Sequence, residues 1–198
     1  MFPFIETICI ESGMIQRLNY HQERVNRTFA HFWPKSTPAD LSAVLTDIPT
    51  GMERIKARIE YQEQGVLTRS YTPYTVRNIH TLQLVYNDTI TYTYKSSHRT
   101  ALIQLATKKN EADEVIIVKQ GLLTDTSYSN IALYDGKQWF TPSTPLLNGT
   151  MRQWLIDQEL LIPIPIRPDD LHRYQHVALI NAMMPLGDCV VEIDNILR

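Results

Sequence analysis

The sequence has 198 residues, of which 43% are hydrophobic, and a formal net charge of -2. A chain of this length can bury a sizeable apolar core, and its nearly balanced charge gives no electrostatic reason to expect a nucleic acid or a membrane as partner. The first residues lack the basic start and apolar run of a signal peptide, and no stretch approaches the length of a bilayer span. We therefore expect a cytoplasmic globular protein that binds neither nucleic acid nor membrane.

The residues that could bind metals or nucleotides lack the spacing that such sites need. Cys9 and Cys189 lie in apolar segments without a C-x-x-C pattern, and the six histidines form no H-E-x-x-H motif. Neither G-x-G-x-x-G nor the P-loop pattern occurs among the seven glycines. We expect free thiols, no metal site and no nucleotide in a glycine-rich loop.

Hydrophobic periodicity and turn residues predict alternating strands and helices in the first half. The predicted elements are a hairpin over Phe4–Leu18 that turns at Gly13, a helix over Tyr20–Trp33, a short helix over Leu41–Leu45, and strands over Met52–Tyr61 and Leu82–Tyr86. The run Thr89–Tyr94 is rich in β-branched and aromatic residues, and we expect it to reach Lys95 in extended form.

The second half repeats this mixture of patterns. Strands are predicted over Glu114–Val118, Asn130–Tyr134, Gln138–Phe140, His176–Asn181 and Cys189–Ile193, and helices over Arg99–Lys109, Gly149–Leu161 and Asp169–Tyr174. Because both halves mix strands and helices, we expect an α+β protein with two small domains, residues 1–94 and 95–198.

Polar residues that suggest chemistry recur in a fixed order along the chain. They are His21-Gln22-Glu23-Arg24, Lys95 with Arg99, Thr124-Asp125, Ser129-Asn130, Thr141-Pro142, Leu147-Asn148-Gly149-Thr150-Met151-Arg152 and Asn181-Ala182-Met183-Met184-Pro185. This order resembles the signature of the fold-type-IV enzymes, or aminotransferase class IV, which use pyridoxal 5'-phosphate (PLP). The last two segments resemble the aminodeoxychorismate lyases most closely. The resemblance implies a D-amino-acid-aminotransferase-like fold.

The resemblance assigns the cofactor's attachment to Lys95. An amine at this position would bind the PLP aldehyde and then serve as the base that moves the substrate's Cα proton. Taken alone, Lys95 is typical of a solvated surface charge and Arg24 of an exposed helix charge. The resemblance instead implies that Arg24 contacts the cofactor's phosphate, a task that suits the guanidinium fork.

The same resemblance implies a phosphate-binding turn where a helix begins at Gly149. Backbone N–H groups of Thr150 and Met151 would donate to the phosphate, because a helix N-terminus with no Cβ in the way favours an anion. Asn181 and Ala182 correspond to the last loop on the phosphate side, although Asn181 is also an ordinary residue at the end of a strand.

Asp125 corresponds to the carboxylate that keeps the pyridine nitrogen of PLP protonated. The family has glutamate at this position, so the side chain here is shorter by one methylene. Aspartate is also a frequent turn former, and shaping the Thr124–Ser129 loop is the alternative role for Asp125.

The interval between Arg24 and Lys95 is shorter than in the relatives that the sequence resembles, which implies an abridged N-terminal domain. Arg58 lies on the charged face of a predicted strand, where an exposed charge is the ordinary outcome. Thr7, Arg58 and Tyr94 are the predicted contacts with a small amino substrate.

Three functions fit these residues. The first is a lyase that releases pyruvate from 4-amino-4-deoxychorismate and leaves p-aminobenzoate for folate synthesis. The second is an aminotransferase that acts on branched-chain or D-amino acids with the same cofactor residues. The third is a cofactor-free binding protein of the same fold. The resemblance also implies a homodimer.

Overall fold

The structure is a computed structural model that describes residues 2–51 and 53–198. The strands are β1 (Phe4–Glu11), β2 (Met14–Ile15), β3 (Ile55–Gln62), β4 (Gly65–Pro73), β5 (Leu82–Tyr86), β6 (Glu114–Lys119), β7 (Leu122–Leu123), β8 (Asn130–Tyr134), β9 (Trp139–Pro142), β10 (Ile162–Ile164), β11 (His176–Ile180), β12 (Val190–Glu192) and β13 (Ile196–Leu197). The helices are α1 (Leu18–Phe32), α2 (Leu41–Val44), α3 (Thr100–Ala106) and α4 (Thr150–Asp157). Three 3-10 helices cover Thr107–Lys109, Pro168–Arg173 and Ile193–Asn195. The mixture confirms the predicted α+β class.

The chain forms two compact units. The first consists of Met1–Thr75 and Tyr94–His98, and the second of Val76–Thr93 and Arg99–Arg198. This division differs from the predicted domains, residues 1–94 and 95–198. Strand β5 belongs to the second unit because it pairs in parallel with β6, which follows it along the chain.

The first unit is an antiparallel sheet packed against α1. Its strand order is β2-β1-β3-β4, and Thr7 of β1 lies opposite Arg58 of β3. Side chains alternate between the two faces of a strand, so Phe4, Ile8 and Ile10 share one face and pack with Val25 and Phe29 of α1. Glu6 is on that same apolar face.

The second unit contains two sheets. Strand order is β13-β5-β6-β7 in one and β10-β9-β8-β11-β12 in the other. Helix α3 packs Leu102 and Leu105 against Val115 and Ile117 of β6. Helix α4 contributes Met151 and Leu155 to a core with Ala178 and Ile180 of β11.

Most predicted elements occur with small shifts of their ends. Strands β5 and β8 have the predicted bounds, whereas strand β4 was not predicted. The first residue of the predicted strand Met52–Tyr61, Met52, lies outside the described residues, and β3 begins at Ile55.

Thr89–Tyr94 joins no sheet in the described structure. Its first residues instead follow a turn, in which the Asn87 side chain accepts hydrogen bonds from the backbone N–H groups of Thr89 and Ile90 at 3.0 and 2.8 Å.

Candidate active site

Backbone pairing with the start of β1 fixes the position of Lys95. The Ile5 N–H donates to the Lys95 carbonyl at 2.9 Å, and Phe4 and Ser96 form an antiparallel bridge. The Lys95 side chain is half-buried. The predicted lysine is therefore held beside the strand that carries Glu6.

A cluster of three buried polar side chains joins β1 to α1. Arg24 donates to both carboxylate oxygens of Glu6, from Nε at 2.8 Å and from Nη2 at 2.6 Å. His21 Nδ1 lies 2.5 Å from Glu6 Oε2. Glu6 and His21 are fully buried, and Arg24 is 6% exposed. Arg24 was predicted as an exposed charge or a phosphate ligand, and it lies in the interior of the first unit as the partner of Glu6.

The electrostatics of this cluster define its protonation. Burial alone would raise the pKa of Glu6, but the charge of Arg24 and hydrogen bonds from Arg24 and His21 outweigh burial and lower the pKa to about 2. Burial lowers the pKa of His21 despite its contact with Glu6, and the positive charges of Arg24 and Lys95 act in the same direction. His21 is therefore neutral at pH 7 and donates its Nδ1–H to an ionised Glu6.

The three residues predicted to contact substrate, Thr7, Arg58 and Tyr94, differ from one another in what they contact in the first unit. Arg58 Nη1 forms an ion pair with Glu60 at 2.5 Å and is about one-third exposed. Thr7 is the register partner of Arg58, so the two lie side by side on neighbouring strands. The Tyr94 ring stacks on His31 with centroids 4.8 Å apart and packs in the core with Phe4. This packing accounts for the position of the Tyr94 ring without a substrate. Contacts of Thr7, Arg58 and Tyr94 with a substrate stay predictions.

Asp125 lies just after β7 in the second unit and is 5% exposed. Its Oδ1 accepts a hydrogen bond from Asn130 Nδ2 at 2.7 Å, and its Oδ2 accepts one from the Leu147 N–H at 2.9 Å. Burial raises the pKa of Asp125 to about 6, against the opposing effects of the Leu147 and Asn130 hydrogen bonds and the charge of Arg152. Asp125 is thus a buried carboxylate that can hold a proton close to neutral pH.

Asn130 links Asp125 to the predicted phosphate turn. Its Nδ2 donates to Asp125 Oδ1 and also to the Leu147 carbonyl, at 2.8 Å. A Cβ at Gly149 would overlap Asn130 Oδ1, so the amide occupies the space that any other residue at 149 would need. The backbone of Gly149 has φ -69 and ψ 147, which any residue can adopt. Space rather than backbone conformation therefore requires glycine at this position.

The two predicted phosphate-side loops flank the core of the second unit. Thr150 and Met151 are buried at the start of α4, and no described side chain caps that helix at Gly149. Asn181 follows the last residue of β11, and its Oδ1 accepts a hydrogen bond from the Met183 N–H at 2.8 Å. Asn181 therefore shapes a turn that also contains Ala182, as the alternative interpretation of Asn181 expected. Met151 and Ile180 pack in the same core, which brings the two loops together.

Within the described ranges, His, Cys, Asp and Glu form no group of three that could hold a metal ion. None of the described helices has the length and hydropathy to span a membrane. Cys9 and Cys189 are buried free thiols.

Known proteins resemble this chain over most of its length. The amino-transferase class IV profile matches residues 4–190, so the chain belongs to that family. An uncharacterized protein of Haemophilus influenzae is 34% identical over 92% of this chain and 98% of its own length. A crystal structure from Haemophilus somnus 129pt, provisionally named a 4-amino-4-deoxychorismate lyase, is 36% identical over 94% of this chain and 98% of its own, with a TM-score of 0.89.

A third comparison concerns the fold and its cofactor. A structure from Mycobacterium tuberculosis, described as a hypothetical aminotransferase in a PLP-bound form, has a TM-score of 0.76 over 98% of this chain and 81% of its own. At 14% identity it shows the fold alone. The predicted fold-type-IV architecture is confirmed, and PLP, the cofactor predicted from the sequence, is the one in that structure.

Glu6 is the main site residue that sequence reasoning did not identify. A carboxylate on the inward face of an apolar strand is costly unless it has a partner, and this position was the available signal.

Proposed function

We propose that this protein is a PLP-dependent lyase that converts 4-amino-4-deoxychorismate into p-aminobenzoate and pyruvate, a reaction that supplies folate synthesis. Membership of the amino-transferase class IV family supports a PLP enzyme. The name carried by the Haemophilus somnus structure, at 36% identity, supports the lyase reaction. The expected substrate is a small amino compound.

The network of Asp125, Asn130 and Gly149 is the observation that carries the cofactor assignment. It connects a buried carboxylate to a helix N-terminus where only glycine leaves room for the neighbouring amide. A helix N-terminus favours an anion, and a carboxylate favours a protonated ring nitrogen. These two requirements match the two ends of PLP, so the residues fit the cofactor.

We assign the phosphate to backbone N–H groups of Thr150 and Met151 at the turn of Gly149, and to the loop of Asn181 and Ala182. The shared packing of Met151 and Ile180 supports a single phosphate site for the two loops.

Asp125 is assigned to the ring nitrogen. Its oxygens accept hydrogen bonds from Asn130 and from the backbone of Leu147 and Leu146, and a carboxylate offers about four lone-pair sites, which leaves room for another donor. The raised pKa of Asp125, about 6, favours sharing of a proton by this carboxylate. When bound, PLP withdraws electrons from the substrate and makes its Cα proton acidic.

In the first unit, Lys95 Nζ is the proposed attachment point and the base that takes up and returns a proton. Lys95 is close enough to the buried cluster for its charge to lower the pKa of His21. Arg24 is the proposed partner of the phosphate. Its two hydrogen bonds to Glu6 fix the orientation of the guanidinium, which reduces the entropy lost when an anion binds.

An aminotransferase that acts on branched-chain or D-amino acids is the second candidate, because the family is named for amino transfer. The two reactions differ in their need for a second substrate. The lyase products together contain every atom of 4-amino-4-deoxychorismate, whereas an aminotransferase needs a keto acid to accept the amino group.

The discriminating experiment measures pyruvate from 4-amino-4-deoxychorismate with and without added 2-oxoglutarate. We expect pyruvate without the keto acid, its loss in Lys95→Ala, and its retention in the control Lys137→Ala, which changes an exposed turn lysine. Strict dependence on the keto acid would overturn the lyase assignment in favour of the aminotransferase.

A homodimer is part of the proposal and follows from the family resemblance. Light scattering coupled to size-exclusion chromatography should give twice the chain mass of 22.9 kDa. A mass of one chain would contradict it.

A further inference from the structure

Arg152 is a buried cation that the proposed function leaves without a role. Arg152 is 5% exposed, and its guanidinium donates three hydrogen bonds. Nη1 donates to Asn148 Oδ1 at 2.8 Å, Nη2 donates to the Pro142 carbonyl at 2.9 Å, and Nε donates to Thr141 Oγ1 at 3.3 Å. All three acceptors are neutral. A buried charge is costly, so a fold that keeps one must gain from its contacts or from its charge.

These contacts hold the residue that precedes Gly149. Asn148 accepts from Arg152 through Oδ1 and donates through Nδ2 to Gln153 Oε1 at 2.8 Å. Both the oxygen and the nitrogen of the Asn148 side-chain amide are therefore hydrogen-bonded to side chains of α4. Pro142 ends β9, so Arg152 also connects this turn to the sheet.

The preceding residue of the turn is fixed independently. The Leu147 N–H donates to Asp125, and the Leu147 carbonyl accepts from Asn130. Residues 147 and 148 are thus held by different partners, and together they set the position of the backbone N–H groups that follow. The first N–H groups of a helix have no acceptor within the helix and are suited to bind an anion.

The charge of Arg152 has a separate effect. Arg152 interacts electrostatically with the buried carboxylate of Asp125, and the charge of Arg152 lowers the pKa of that carboxylate. With Arg152 present, the negative charge of Asp125 is balanced.

We propose that Arg152 is a positioning residue for the phosphate of PLP, which fixes the turn through Asn148 without touching the phosphate. This inference rests on the proposed function. It implies that Arg152 contributes to binding of the phosphate much more than to binding of the pyridine ring or the aldehyde.

The test compares the dissociation constants of PLP and 5-deoxypyridoxal, which has the same ring and aldehyde but no phosphate. Fluorescence of Trp154 in α4 and absorbance of the bound compound report binding without any catalytic turnover. In Arg152→Gln we expect PLP binding to weaken by about tenfold or more, the typical effect of losing hydrogen bonds to a charged group, and 5-deoxypyridoxal binding to change by less than about twofold.

Two further variants separate the contacts from the charge. Asn148→Ala removes the side chain that Arg152 holds but keeps the charge of Arg152. It should therefore also weaken PLP binding without a similar effect on 5-deoxypyridoxal binding. Arg152→Lys keeps the charge but cannot reach all three acceptors, and its PLP affinity should lie between wild type and Arg152→Gln. The control is Arg173→Gln, an arginine whose side chain is 65% exposed, which should bind both compounds like wild type.

Equal weakening of both compounds, with a lower melting temperature, would show that Arg152 only supports folding and would overturn the inference. Unchanged PLP affinity in both Arg152→Gln and Asn148→Ala would overturn it as well. If wild type binds neither compound, the proposed function itself fails and this inference fails with it. The wild-type titration therefore distinguishes the two failures.

Discussion

Glu6 and Asp125 are both buried carboxylates, yet their surroundings shift their pKa values in opposite directions. Glu6 faces the charged guanidinium of Arg24, and its pKa falls to about 2. Asp125 accepts hydrogen bonds from neutral groups, so burial dominates and its pKa rises to about 6. The first carboxylate is a permanent charge that fixes a cation, and the second can exchange a proton near neutral pH.

Replacement of Glu6 tests the first of these roles. Glu6→Gln leaves Arg24 as a buried cation without its counter-ion, and we expect a loss of about 3–5 kcal/mol in the free energy of unfolding at pH 7. Chemical denaturation measures this loss. The matched control is Glu60→Gln, which breaks a partly exposed ion pair with Arg58 and should cost at most about 1 kcal/mol. Equal losses in the two variants would contradict the role of Glu6.

The pH dependence of the same variant follows from the sign of the shift. The pKa of Glu6 is about 2 in the folded protein and near its ordinary value of 4.5 in the unfolded chain. The unfolded chain therefore takes up this proton first, and wild type loses stability as pH falls from about 4.5 to about 2. The contribution is of the order of 3 kcal/mol, at about 1.4 kcal/mol per pH unit. Glu6→Gln should lack this part of the acid dependence.

Gly149→Ala tests the close approach of Asn130 to the turn. The added methyl group would displace the Asn130 amide, which would break its bonds to Asp125 and Leu147, and we expect a loss of about 1–3 kcal/mol in the free energy of unfolding. The double variant Gly149→Ala with Asn130→Ala removes the overlap, so it should cost less than the sum of the single changes. Additive costs would show that the two residues do not interact.

Some of these residues could be predicted from the sequence, and others could not. Lys95, Arg24 and Asp125 were predicted as site residues because their order resembles a family signature. Glu6 was not, because its partners are 15 and 18 residues away and only the folding of α1 onto β1 brings them together. Local patterns do not report such pairings.

At the scale of elements, α4 holds the predicted phosphate turn against the sheet. Leu155 is 2% exposed in the core shared with β11, and Leu155→Ala should cost about 2–5 kcal/mol in the free energy of unfolding. Ile103→Ala in α3, where the side chain is 61% exposed, is the matched control and should cost less than about 1 kcal/mol. Thermal denaturation of both variants checks the difference, and similar losses would contradict this packing.

The errors in predicted elements have physical causes. The helix predicted to reach Leu161 ends at Asp157, because Glu159 has a left-handed backbone with φ 58, while Leu161 still packs in the same core and prolongs the apolar pattern. Strand β4 was missed because most of its side chains are exposed, so its sequence lacks alternation. Strand β4 is held in the sheet by its antiparallel pairing with β3, which its own sequence pattern does not indicate.

At the scale of the whole molecule, composition and the mixed patterns were sufficient to predict the α+β class. The division into two units was harder to predict, because the chain leaves the second unit after Thr93 and returns to it at Arg99. Strands β5 and β6 lie on either side of this segment in the sequence but pair with each other, and only that pairing shows that β5 belongs to the second unit. The alignment covers 98% of the two Haemophilus relatives, so the short length implied for the first domain is shared with them.

The most direct test of the central claim is the near-visible absorption spectrum of the purified protein with added PLP, before and after borohydride reduction. We expect a band in wild type and in the control Lys137→Ala that reduction converts to a stable adduct on Lys95, and no such adduct in Lys95→Ala. An adduct on another lysine would contradict the assignment of Lys95. The absence of any band in wild type would contradict the PLP enzyme and favour a cofactor-free binding protein of the same fold.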